Sequence, residues 1–247
     1  MVSANALTFS NRMLHHKADL ELMDIICSIN QTKKLAPQDN SLLFFNLDPQ
    51  KHKILEGRKI TNHNRNMALN HLRQTVYGAF IKSLYEEFYR YLRATIKETV
   101  KNLKADPDRL IGEHKIQLSA KEILKLGNIA AVNEIIINTL FQTLEAEKST
   151  IKLIEKIRDK LGLNFDKALI DGALPYLELR HKLVHAEGKL NEDFVEKYPQ
   201  IPRDGKGYAD LDLETMENAL SAVSKLVEAI DEDALKKNFV RPNTPVK

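Results

Sequence analysis

Residues 64–104 read NRNMALNHLRQTVYGAFIKSLYEEFYRYLRATIKETVKNLK, and this stretch decides the fold of the chain. Its apolar residues recur every three or four positions, which is the spacing of one face of an α-helix. Such a helix would be about 60 Å long at 1.5 Å per residue, unless Gly78 bends it. The apolar face consists of Leu69, Leu72, Val76, Phe80, Leu84, Phe88, Leu92, Ile96, Val100 and Leu103.

Helical spacing also dominates on both sides of this stretch. A first helix, capped by Ser10, is expected to bury Leu14, Ala18, Leu22, Ile25, Ile26 and Ile29. Two further helices are expected over residues 131–146 and 151–161, and Gly162 would end the second of them. Asn164 would begin a helix that Gly172 interrupts.

The last two predicted helices complete the pattern. Pro175 suits the first turn of a new helix, expected over 175–186, because its missing N–H would be unpaired there in any case. A final helix is expected from Leu213 to Ile230. Apart from a possible short strand at Leu42–Phe45, the sequence predicts an all-α fold, specifically a helical bundle with a long N-terminal helix and a polar insertion.

The chain divides into three predicted regions. Residues 1–130 form an N-terminal helical region that contains a basic loop at 31–66. Residues 131–235 form a helical bundle, and residues 236–247 form a flexible tail that contains two prolines.

Composition narrows the class of protein. Apolar residues make up 43% of the chain and charged residues 29%, values typical of a soluble globular protein. Cys27 cannot form an internal disulfide because it is the single cysteine, so a cytoplasmic location is expected, with Cys27 buried as a small apolar residue. Neither a signal peptide nor a membrane-spanning segment is predicted.

Charge is unevenly distributed along the chain. Residues 1–104 carry 16 Lys and Arg against 9 Asp and Glu, although the whole chain has a formal net charge of only +3. A basic segment can make salt-dependent contacts with a phosphate backbone. Within 31–66 we therefore predict RNA contacts from Lys51, Lys53, Arg58 and Lys59. The alternative is a solvated loop without a ligand.

The stretch RHKLVHAEG, residues 180–188, carries the chemistry. Arginine can hold a phosphate with its planar fork of donors, and histidine can exchange a proton near neutral pH. Arg180 and His185 lie within one predicted helix that ends near Gly188. Similar arginine–histidine pairs occur in predicted loops or without this context, namely Arg58/His63, Arg109/His114 and Arg65/His71.

This stretch resembles the motif of the HEPN superfamily, in which an arginine precedes an aliphatic residue, valine and histidine, with glycine shortly after. The similarity covers roughly residues 165–231. It implies an endoribonuclease that needs neither a metal nor another cofactor, with Arg180, His185 and His181 as catalytic residues and Lys182 contacting RNA. His185 would act as the general base, and His181 or a second subunit would supply the acid.

The resemblance also implies partners and a biological role. In this family the motif helices of two subunits commonly meet, so a homodimer is expected. Many such enzymes are toxins or antiviral effectors, and an antitoxin or another regulatory protein is then a partner.

Two other functions and one structural interpretation compete with the ribonuclease. The chain can be a non-catalytic HEPN-like module that binds RNA or nucleotides or supports assembly. It can also be a metal-binding bundle, because Glu178, His181 and His185 share one helix face, and His15, His16 or His71 could complete the ligands. In the structural interpretation, Arg180 pairs with an acid such as Glu178 or Asp171, and His185 stabilises the C-terminal end of the helix.

Overall fold

The computed structural model describes residues 1–31, 50–51, 62–102, 119–145 and 149–243. Within these ranges the chain is helical, and its only β-type pairings are three isolated bridges. The all-α prediction is confirmed. The helices are α1 (Ala4–Gln31), α2 (Asn62–Lys101), α3 (Ala120–Leu126), α4 (Ile129–Glu145), α5 (Thr150–Leu161), α6 (Lys167–His185), α7 (Glu192–Lys197) and α8 (Leu213–Lys236). The possible strand at Leu42–Phe45 lies outside the described residues.

Helix α2 is the centre of the molecule. It packs against α1, α4, α6 and α8, and its 40 residues extend for about 60 Å. Phe80, Leu84, Phe88 and Ile96 are at most 3% exposed, so the predicted apolar face is the buried face. Leu72, which is 46% exposed, departs from this pattern although Leu69 is 6% exposed, and Leu103 lies outside the described residues.

Helix α1 buries a different face from the predicted one. The predicted core residues Leu14 and Leu22 are 67% and 57% exposed, whereas Phe9, Met13 and Leu20 are at most 2% exposed. The helix carries two apolar stripes, and the stripe with the aromatic ring packs into the core. The predicted cap at Ser10 is also wrong, because the helix already begins at Ala4. The predicted burial of Cys27 is confirmed.

Helix α6 is continuous where the sequence predicts a break. Asp166, rather than Asn164, caps it by accepting a hydrogen bond from Ala168 N at 2.9 Å. Gly172 does not interrupt the helix, and Pro175 lies inside it. An internal proline costs about 3 kcal/mol, but each fully buried large side chain contributes about 1.5–3 kcal/mol. The buried residues around the proline are Ile170, Ala173, Leu174, Tyr176, Leu177 and Leu179.

The segment after α8 is packed where it is described. The sequence predicts a flexible tail from residue 236, whereas Val240 is 2% exposed and Asn243 N donates to Val2 O at 2.9 Å. Asn102 Nδ2 donates to Phe239 O at 3.0 Å, which joins this segment to the end of α2. A buried valine and these backbone contacts explain the departure from the predicted tail.

Buried residues from both sides of position 130 belong to one hydrophobic core. Helices α1 and α2 contribute to it together with α6 and α8, although this does not test the predicted functional division at residue 130. Of the helices that the structure describes, none combines the length and the apolar character needed to cross a membrane.

Candidate functional site

The motif lies at the exposed end of α6. His185 is the last residue of this helix, and Ala186 N donates to Lys182 O at 3.0 Å. Gly188, with a φ of 85°, turns the chain away and also donates from its backbone N to Lys182 O at 3.0 Å. Glu187 has a φ of 52°, a left-handed conformation that is uncommon for a residue with a side chain. The helix therefore ends sharply beside its histidines.

His181 and His185 form a pair on the outer face of this end. Their spacing of four residues makes them neighbours, and their ring centroids are 4.5 Å apart at an interplanar angle of 49°. Both side chains are exposed. The structure therefore brings together two imidazoles that a single bound group can reach.

The surroundings lower the pKa of His181. Partial burial is the largest cause, followed by the positive charges of His185, Lys182 and Arg180, while Glu178 acts in the opposite direction. A lowered pKa disfavours the protonated ring. The neutral form of the His181 ring is therefore favoured.

Arg180 lies on another face of α6, against α2. Its Cζ atom is 4.9 Å from the centroid of the Tyr85 ring, a cation–π contact. Its Nε is buried and has no hydrogen-bond partner among the described residues. Nothing in the sequence marks Tyr85, which lies on the long helix α2, as the partner of an arginine.

Arg180 pairs with neither of the acids that the structural interpretation proposed. Within the described part of the chain it forms no ion pair with Glu178 or Asp171, and Glu178 Oε2 instead lies 3.6 Å from Lys197 Nζ. That explanation of the arginine is wrong. The arginine and His185 are about 140° apart around the helix, and among the described residues no hydrogen bond or ring contact joins their side chains.

Lys182 connects α6 to the beginning of α7. Its Nζ donates to Asn191 Oδ1 at 2.7 Å and lies 5.6 Å from the centroid of the Phe194 ring. A recess of about 230 Å³ opens beside it. The recess is lined by Ser149, Thr150, Glu178, His181, Lys182 and Phe194. The sequence predicts Lys182 as an RNA contact but gives no sign of the recess, which depends on how α5 and α7 approach α6.

The other predicted site residues are distributed differently. Lys51 is described and exposed, whereas Lys53, Arg58 and Lys59 lie outside the described residues. The Arg109/His114 pair lies outside them too, as do Arg58 and the side chains of His63 and Arg65. His71 is exposed on α2 and lines another cleft. RNA binding by the basic segment stays a prediction.

The alternative of a metal site can be compared with the positions of the side chains that the structure describes. Among the residues that the structure describes, no group of three or more His, Cys, Asp or Glu side chains could hold a metal ion. Glu178, one of the proposed ligands, is paired with Lys197 instead.

The site thus combines two adjacent imidazoles with a recess beside one of them, and the two cations of the motif are engaged by Tyr85 and Asn191. Proton transfer by the imidazoles is the chemical capacity of this set. The chain matches no protein-family model, no curated protein and no solved structure.

Proposed function

We propose that this protein is a metal-independent endoribonuclease of the HEPN type. The His181–His185 pair, with ring centroids 4.5 Å apart at the exposed end of α6, is the observation that carries the proposal. Cleavage of RNA through its own 2′-hydroxyl requires one group to remove a proton and another to supply one. Two adjacent imidazoles supply both without a metal ion.

In this proposal His181 is taken as the base, because its lowered pKa favours the neutral ring. The ring with the lowered pKa, His181, removes the proton from the 2′-hydroxyl as its oxygen attacks the phosphorus. His185 protonates the 5′-oxygen as the P–O5′ bond breaks. This order reverses the expectation from the sequence, in which His185 is the base. The products are a 2′,3′-cyclic phosphate and a 5′-hydroxyl.

The proposal includes a homodimer that pairs through the end of α6. Because Arg180 stacks on Tyr85 and faces α2, it does not point at the phosphate that His181 and His185 of the same subunit would hold. Val184, between the two histidines in sequence, is 42% exposed and available for a contact between two copies of α6. In this proposal two-fold pairing of this helix brings the histidine pairs of both subunits into one cleft.

The proposal also includes a biological role, which is taken from the resemblance to HEPN ribonucleases. It assigns the enzyme to a toxin–antitoxin or antiviral system, with an antitoxin or another regulatory protein as the partner that restrains it. This part of the proposal rests on family analogy alone.

A second candidate is a non-catalytic RNA-binding or assembly module. One observation favours it, namely that both cations of the motif helix are engaged within the chain. Arg180 stacks on Tyr85, and Lys182 bonds to Asn191.

Analysis of product ends distinguishes these candidates. Purified protein is incubated with mixed RNA in excess chelator, and the fragments are tested for 5′-hydroxyl and 2′,3′-cyclic phosphate ends. His185→Gln should abolish fragmentation, and His15→Gln, which changes an exposed histidine on α1, serves as the matched control. RNA that binds but stays intact would favour the non-catalytic module. Fragments with 5′-phosphate ends that appear only with a divalent ion would contradict the proposal.

A further inference from the structure

A second, larger cleft lies on the other side of the end of α6. Its volume is about 600 Å³, and it is enclosed by the first half of α2, the end of α6 and the loop 204–211. Glu187 and Gly188 line it, and they follow His185 by only two and three residues. An extended chain covers at most about 3.6 Å per residue, so the edge of the cleft lies within about 11 Å of the His185 backbone.

The loop that forms one wall is firmly held. Gln74 of α2 donates from Nε2 to Asp210 Oδ1 at 3.1 Å and to Leu211 O at 3.0 Å, and its Oε1 accepts from Leu211 N at 3.0 Å. Asp204 Oδ1 accepts from the backbone N of Lys206 at 2.9 Å and of Tyr208 at 2.8 Å. This wall of the cleft is therefore held in place, and Oδ1 of each aspartate accepts internal hydrogen bonds.

Two glycines leave space beside Leu183, which lines the cleft. A Cβ atom at Gly78 would lie 3.9 Å from Leu183 Cδ2, and one at Gly188 would lie 3.4 Å from the same atom. Because glycine has no side chain, nothing protrudes at these two positions, and Leu183 makes this part of the cleft wall apolar. A flat ring can approach such a surface.

Several polar side chains that line the cleft form fewer hydrogen bonds or ion pairs within the chain than they are able to form. Arg73 Nε is buried without a hydrogen-bond partner, and Arg73 Nη2 is 3.7 Å from Asp210 Oδ1. In the described part of the chain, the side chains of Lys82 and His71 form no hydrogen bond or ion pair. The Tyr208 residue is 39% exposed at the rim. The lining also holds three carboxylates, Glu187, Asp204 and Asp210, and Asp210 pairs with Arg73. An anionic group is therefore best placed beside Lys82, and a planar ring beside Tyr208.

We propose that this cleft holds a nucleotide of single-stranded RNA adjacent to the cleaved bond, an inference that rests on the proposed ribonuclease function. Lys82 holds its phosphate, and its base stacks against Tyr208. Cations along the backbone with an aromatic ring for a base are the usual combination for binding single strands. The short distance to His185 allows neighbouring nucleotides of one strand to occupy the cleft and the histidine pair.

Binding of an RNA that cannot be cleaved tests the inference separately from catalysis. The probe is a fluorescent 2′-O-methyl oligonucleotide of mixed sequence, and its dissociation constant is measured by fluorescence anisotropy over a range of salt concentrations. Tyr208→Leu should weaken binding about 5- to 100-fold through lost stacking. Lys82→Gln should weaken binding and reduce the salt slope by about 0.7. Lys101→Gln, which removes an exposed charge elsewhere on α2, is the matched control and should change little.

The outcomes separate this inference from the proposed function. Unchanged affinity and salt slope in both cleft variants would overturn the inference, even if the protein cleaves RNA. Weaker binding in both variants supports it, even if the wild-type protein leaves natural RNA intact, in which case only the ribonuclease proposal fails. Melting temperatures of the variants confirm that each is folded, and Lys82→Gln breaks no internal contact among the described residues.

Discussion

The contact between Arg180 and Tyr85 gives a prediction with a definite magnitude. Cζ of the arginine lies 4.9 Å from the ring centroid, inside the limit of about 6 Å for a cation–π interaction. Such contacts contribute about 0.5–1 kcal/mol at exposed sites and about 2 kcal/mol when desolvated. Because Arg180 Nε is buried, we expect a coupling free energy of about 1–2 kcal/mol between the two side chains.

A double-mutant cycle measures this coupling. The free energy of unfolding is determined by urea denaturation for the wild type, Tyr85→Leu, Arg180→Met and the double variant. The double variant should lose about 1–2 kcal/mol less than the sum of the single losses, because the contact can be lost only once. Tyr85→Phe keeps the ring and should keep most of the coupling with Arg180→Met. A coupling within about 0.3–0.5 kcal/mol of zero, the usual error of additivity, would refute the role of Tyr85.

Three further predictions concern stability and protonation. Asp231→Ala should lower the free energy of unfolding, measured by denaturation, by about 2–3 kcal/mol. The reason is that buried Ser3 loses the acceptor of its backbone and hydroxyl hydrogen bonds. An unchanged free energy of unfolding would show that this contact is dispensable. Gly172→Ala should raise the melting temperature through a gain of about 0.5–1 kcal/mol, since an added Cβ meets no atom within 4 Å, and a lower melting temperature would contradict this reading of α6. In NMR titrations the pKa of His181 should lie below the ordinary 6.5. Glu178→Gln should lower this pKa further, because the lost carboxylate favours the protonated ring. A higher pKa of His181 in this variant would contradict the inferred electrostatics.

The long helix was predictable because one apolar stripe persists through it. In α2 the stripe from Phe80 to Ile96 leaves a single way to bury the helix, and the structure buries it that way. In α1 the local sequence offers two stripes, one with Leu14 and one with Phe9. Only the positions of α2 and α8 decide which of them faces the core, and those positions are not encoded locally.

For α6, the helix-breaking residues in the sequence give the wrong prediction. Gly172 and Pro175 both disfavour a helix interior, yet the surrounding apolar residues keep the helix intact by packing against α2, α5 and α8. At this point burial in the tertiary structure outweighs the low helix propensity of the two residues. A short stretch of sequence does not show this burial.

Helical geometry predicts part of the candidate site. The spacing of His181 and His185 places them on one face, and the spacing of Arg180 and His185 separates them around the helix. The stacking of Arg180 on Tyr85 was not predictable, because it joins two helices that are far apart in the sequence. The recess beside His181 likewise depends on the approach of α5 and α7.

The central claim is that His181 and His185 together cleave RNA, and one rate comparison tests it most directly. The initial cleavage rate of a fluorogenic RNA is measured in excess chelator for the wild type, His181→Gln, His185→Gln and the double variant. We predict that each single variant loses about 100- to 10,000-fold and that the double variant is scarcely slower than the worse single variant, because the two rings act as a unit. A double variant that cleaves at the wild-type rate, or a wild-type protein that does not cleave RNA, would contradict the claim.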